Sequence, residues 1–77
     1  MEAHLPLGAY RLSRPLLGIL NDGERGSITV PNRAEITVLS MHDGVPLVDV
    51  RWDDREFVMF AVDLRRYAER IKDGHGA

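Results

Sequence analysis

Apolar and polar residues alternate with a period of two from Pro46 to Trp52, where Val48, Val50 and Trp52 share one parity and Asp49 and Arg51 the other. Successive side chains of a strand point to opposite faces, so this run predicts a β-strand with one buried and one wet face. Asp53-Asp54 follows as a two-residue connection into the segment Arg55 to Phe60. Pairing Trp52 with Arg55 across that turn sets Val50 opposite Phe57 and Val48 opposite Met59, all on one face. Asp-Asp is a weaker hairpin signal than Asp-Gly, because neither residue takes positive φ as readily as glycine. Phe57 to Phe60 is apolar on both parities. Phe57 and Met59 line the core in this register, which leaves Val58 and Phe60 to be covered by a tail, a helix or another chain.

Upstream, Ile36 and Val38 share one parity and Thr37, Leu39 and Met41 the other, and the β-branched residues favour a strand over Ala34 to Met41. Ser27 to Val30 reads as a short extended piece stopped by Pro31-Asn32, and Asp43-Gly44 marks a turn. In Tyr10 to Leu20 the apolar residues fall on both parities around Pro15. Proline has no amide hydrogen to donate, so the segment is either an edge strand with a bend or two short strands. Asn21-Asp22-Gly23-Glu24-Arg25-Gly26 is the strongest loop signal and separates this first arm from the rest.

After Ala61 the period changes. Leu64, Tyr67, Ala68 and Ile71 fall at i, i+3, i+4 and i+7, the spacing of one apolar helical face, with Asp63 placed to cap the helix start. Such a helix would close one end of a barrel or cover the second apolar face of the last strand. Met1 to Gly8 lacks periodicity and Lys72 to Ala77 is a polar, glycine-containing run. The division expected is therefore a flexible tail over 1–8, a barrel with its C-terminal helix over 9–71, and a flexible tail over 72–77.

This order of elements resembles the SH3-like small barrel: a first strand, a turn-rich loop, a diverging turn, three antiparallel strands and a short helical turn. The stretch from Ile28 to Leu39 resembles the exit from the diverging turn into the second strand, and Leu47 to Leu64 resembles the central hairpin and last turn. The likeness covers Tyr10 to Tyr67 and rests on pattern. It implies an all-β antiparallel barrel of about five strands with a short C-terminal helix. Peptide-binding members of that family carry an aromatic-rich first strand, paired tryptophans and a proline-tyrosine pair near the end. Here Tyr10 is the one tyrosine of the first arm, Trp52 stands alone, and Ala61-Val62-Asp63 occupies the place of the proline-tyrosine pair. The aromatic groove for proline-rich peptides is thus not written into this chain.

With 77 residues the chain is one domain, of a size that buries only roughly 60% of its unfolded surface. Cysteine is absent, which removes disulfides, thiolate metal sites and thiol chemistry together. The core holds by packing, or by packing plus association. Ten basic and twelve acidic side chains give a net charge of −2 without a long block of one sign, which argues against a dedicated nucleic-acid or anionic-membrane surface. No stretch approaches the roughly 20 apolar residues of a membrane-spanning helix, and a cytoplasmic protein is expected by default.

No catalytic, metal or nucleotide motif rises above background. His4, His42 and His75 lie in a tail, a loop and the other tail without positioned partners. Adjacent Asp53 and Asp54 point in different directions and read as turn formers rather than as an acid–base pair. Gly18, Gly23 and Gly26 lack the Lys-Ser/Thr and helix start of a phosphate loop, and Ser13, Ser27 and Ser40 lack a nucleophile elbow. No catalysis and no cofactor are expected. Arginine outnumbers lysine nine to one, so Arg51, Arg55, Arg65 and Arg66, with Tyr10, Trp52 and Tyr67, could form a strip for single-stranded nucleic acid in a KOW- or Tudor-like barrel. The plainer reading is a solvated surface. Trp52 and Tyr67 could likewise cage a methylated cation, but Trp52 shares the parity of Val48 and Val50 and reads as a core or rim residue.

What remains is a non-catalytic interaction module that binds a protein partner or itself. Its candidate interface is an exposed strand edge around Leu16 to Leu20, with Leu16 and Leu20 as its candidate contacts, or the surplus apolar face of Val58 and Phe60, with Tyr67 nearby on the helix. Self-association covers both most simply, so a homodimer is an expected state.

Overall fold

A computed structural model describes residues 5–20, 26–41 and 44–71. Among them, seven strands and one helix follow in the order β1 (Gly8–Leu12), β2 (Leu16–Leu20), β3 (Gly26–Val30), β4 (Glu35–Met41), β5 (Leu47–Trp52), β6 (Arg55–Phe60), α1 (Ala61–Tyr67) and β7 (Ala68–Arg70). All pairings are antiparallel and form one sheet in the order β3-β2-β6-β5-β4-β1-β7. The all-β expectation holds, with seven strands in place of about five. The first arm splits at Pro15 into β1 and β2, and β2 and β3 form a hairpin of their own in which Leu16 pairs with Val30 and Leu20 with Gly26.

The β5–β6 hairpin has the register expected from its sequence, with Trp52 opposite Arg55, Val50 opposite Phe57 and Val48 opposite Met59. Its turn residues Asp53 (φ 54°) and Asp54 (φ 67°) are both left-handed, the backbone of a type I′ turn whose twist matches that of the strands it joins. In β4 the ladder to β5 slips between Val38 and Ser40, so Leu39 is an extra residue. Such a bulge bends the strand and increases its twist.

One face of the sheet carries the core: Tyr10, Leu12, Leu16, Val30, Ile36, Val38, Val48, Val50, Phe57 and Met59, joined by Ala61 and Leu64 of α1. Leu5, within the expected N-terminal tail, belongs to this core at 4% exposure, and the Tyr10 hydroxyl donates to the Pro6 carbonyl oxygen at 2.5 Å. A single leucine carries no periodicity, so its burial is invisible in pattern. Residues 1–4 of the expected tail 1–8, the expected tail 72–77, residues 21–25 of the expected loop 21–26, and His4, His42 and His75 lie outside the described residues.

The helix is shorter than its apolar spacing suggests. It ends at Tyr67, and Ala68 is already extended (φ −125°, ψ 142°). From there β7 pairs with β1, Leu12 with Ala68 and Tyr10 with Arg70. A seven-residue helix is marginal on its own, whereas pairing along β1 satisfies the same backbone groups and covers an open edge. Ser13 closes the helix end, since its amide and its hydroxyl both donate to the Tyr67 carbonyl oxygen, at 2.7 and 2.9 Å. At the other end Phe60 is the N-cap and offers no side-chain hydrogen bond, and Asp63 sits in the first turn instead of capping it. The Ala61 amide is satisfied by the Pro46 carbonyl oxygen at 2.8 Å, which pins the start of α1 to the approach to β5.

Candidate functional site

Opposed residues of an antiparallel ladder share a face, so the register defines what the sheet presents away from the core. Ile19 of β2 pairs with Val58 of β6, which pairs with Asp49 of β5, which pairs with Ser40 of β4. One step along the same face, Phe60 pairs with Leu47. Leu17 precedes Gly18, the partner of Met59, and therefore lies beside Phe60. Leu17, Ile19, Leu47, Val58 and Phe60 thus form an apolar patch on the outer face of β2, β6 and β5. Val58, flanked by Ile19 and Asp49, is reduced to 9% exposure, while Leu17 is 44% exposed and Ile19, Leu47 and Phe60 are half-buried. At the margin the Ser40 hydroxyl donates to Asp49 Oδ2 at 2.5 Å.

The expected interface residues divide accordingly. Phe60 remains available, but Val58 is already largely covered within the chain. Leu16 is a core residue at 7% exposure and Leu20 leans on the core from the same side. Nor is β2 an edge: it lies between β3 and β6. Its accessible residues are Leu17 and Ile19, within the expected stretch but of the opposite parity to Leu16 and Leu20. The Leu16-Leu17-Gly18-Ile19-Leu20 run is apolar on both parities, so only the pairing with β6 decides which side faces inward. Tyr67 is half-buried against the core with the Arg14 guanidinium 4.7 Å from its ring centroid, a cation–π geometry.

The four arginines considered for nucleic acid lie on two parts of the chain, Arg51 and Arg55 in the β5–β6 hairpin and Arg65 and Arg66 in the last turn of α1. Arg51 donates to Glu56 Oε2 at 2.8 Å, and Arg55 and Arg65 each have interactions within the chain. The β5–β6 turn, beside Arg51 and Arg55, and α1, with Arg65 and Arg66 in its last turn, begin at opposite ends of β6. A six-residue strand separates those ends by roughly 17 Å. Trp52 is half-buried against the core.

Apart from that face, an open groove of ≈ 420 Å³ is lined by Arg11, Leu12, Ser13, Asn32, Arg33 and Glu69. Arg11 is paired there with Glu35 Oε2 at 3.0 Å. The groove is shaped by the turn Pro31 to Ala34, closed by the Ala34 amide on the Pro31 carbonyl oxygen at 3.2 Å, with Arg33 left-handed at φ 72°. Charges of both signs line it, so it defines no single ligand chemistry. Among the described residues no group of three or more His, Asp or Glu side chains is placed to hold a metal ion, and no buried side-chain polar atom lacks a hydrogen-bond partner. No helix among them is long and apolar enough to cross a membrane.

Comparison with known proteins returns no match: no family model, no curated protein and no solved structure matches the chain.

Proposed function

We propose that the chain is a non-catalytic interaction module on an SH3-like small-barrel plan, and that it binds an apolar surface of a protein partner with the outer face of β2, β6 and β5. The plan is supported by a first strand, a hairpin arm, the three-strand meander β4–β5–β6 and a short helix ahead of the last strand. The binding reading is carried by Leu17, 44% exposed beside Phe60 with Ile19 and Leu47 on the same face. An apolar centre with the polar pair Ser40–Asp49 at its margin has the anatomy of an interface core and rim.

The test compares wild type and Phe60→Asp as matched baits, followed by calorimetric titration of the purified captured protein against each. The aspartate is expected to leave the circular-dichroism spectrum intact and to weaken binding by about tenfold or more, as loss of a central aromatic contact does. Equal affinity for both baits counts against this face.

A further inference from the structure

The open sheet has two terminal strands, and they differ in kind. β7 is three residues long and carries Glu69 and Arg70, the charged, short form by which proteins blunt an edge. β3 is Gly26-Ser27-Ile28-Thr29-Val30, five residues without a charge, a proline or a bulge. Among the described residues its only ladder partner is β2. Among the described residues the row of backbone amide and carbonyl groups on its other side has no ladder partner, which makes it a template for a further strand.

We infer that β3 pairs antiparallel with β3 of a second copy about a two-fold axis at Ile28, joining the two sheets into one. The inference rests on the reading of the chain as an interaction module but uses the backbone edge of β3, whose Ser27 and Thr29 pair with Ile19 and Leu17 and so continue the outer face, with β2 between them and Phe60. Its argument is the self-complementarity of the strand. An axis at Ile28 sets residue 27 of one copy opposite residue 29 of the other, so the exposed hydroxyl side chains of Ser27 and Thr29 face each other, a favourable cross-strand pair. Gly26 falls opposite Val30, small against branched, and the half-buried Ile28 meets its own copy. No like charges are opposed anywhere along the pair. The same operation at the centre of β7 would set Glu69 against Glu69, which is repulsive. Only one of the two edges thus tolerates a second copy. A two-fold contact of this kind closes on itself and stops at a dimer.

Light scattering with size-exclusion chromatography over a concentration series tests the register as well as the contact. Wild type is expected to run as a dimer at the upper concentrations. Ser27→Lys/Thr29→Lys opposes two pairs of like charges and is expected to weaken dimerisation by about tenfold or more, with the monomer fold kept because both side chains are exposed. Ser27→Lys/Thr29→Glu opposes unlike charges in the same register and is expected to dimerise. Should the double-lysine variant not fold, Ser27→Glu/Thr29→Glu carries the same expectation with the sign reversed. A wild type that stays monomeric, a dimer untouched by either like-charge variant, or a failure of the lysine–glutamate variant to dimerise overturns the proposal. Phe60→Asp separates the two surfaces. It is expected to leave the dimer intact, and a dimer lost on Phe60→Asp but kept on Ser27→Lys/Thr29→Lys places the contact on the outer face and overturns the β3 pairing.

Discussion

The ring of Phe57 lies directly over the backbone of Gly18: a Cβ built on Gly18 would stand 2.6 Å from both Cδ2 and Cε2 of that ring. Gly18 faces the core between Leu16 and Leu20, and the absence of a side chain there lets Phe57 on β6 fill the space that a β2 side chain would otherwise occupy. Glycine in a strand interior marks such a close approach.

Gly18→Ala is therefore expected to destabilise the protein by about 1–3 kcal/mol, the usual cost of forcing extra volume into a packed core. The entropy that alanine removes from the unfolded chain offsets only about 0.4–1 kcal/mol of this. Chemical denaturation measures the change, and the same substitution in a Phe57→Leu background should cost at least 1 kcal/mol less. Equal cost in both backgrounds would show that the ring is not what excludes the methyl group.

Left-handed backbone at residues with a Cβ offers the opposite opportunity. Asp54 at φ 67° and Arg33 at φ 72° occupy positions at which glycine is free of steric cost, in the type I′ turn of β5–β6 and in the turn before β4. Each L-residue there loses roughly 1 kcal/mol or more to the clash of its Cβ. Asp54→Gly and Arg33→Gly are each expected to raise stability by about 0.5–1 kcal/mol after the greater unfolded-chain entropy of glycine is counted. A thermal midpoint that falls in both variants would refute the turn argument.

Burial raises the pKa of the Tyr10 hydroxyl above its ordinary value of 10.0, an effect that the neighbouring Arg70 charge partly offsets. The unfolded chain thus releases this proton at a lower pH than the folded protein does. Its contribution to stability is complete below about pH 10 and is lost as pH rises through the folded value. Tyr10→Phe removes both this titration and the hydrogen bond to the Pro6 carbonyl oxygen, at a cost of about 1 kcal/mol at neutral pH. Denaturation midpoints from pH 8 to pH 11.5 should show wild type and variant converging in the alkaline range. A constant gap would exclude Tyr10 as the titrating group.

Much of this molecule is legible as local pattern. Strict alternation from Val48 to Trp52 and a two-residue turn dictate the β5–β6 register, because neighbours in sequence joined by a tight turn have only one pairing that buries every apolar residue of that parity. Pro15 divides the first arm by removing an amide, and the change of period after Ala61 marks α1. These outcomes depend on residues a few positions apart. The inward side of β2 does not, since Leu16, Leu17, Ile19 and Leu20 satisfy either parity. It is decided by Phe57 needing the space above Gly18, a contact 39 residues away in sequence, and with it goes the identity of the exposed residues, Leu17 and Ile19. Ala68-Glu69-Arg70 has no intrinsic strand signal and becomes β7 because β1 offers it hydrogen bonds. Sequence by itself determined which segments are strands wherever one parity is apolar and the other polar. Tertiary structure decided the outer patch and the two free edges, because those follow from the order of strands in the sheet, and that order depends on contacts between distant segments.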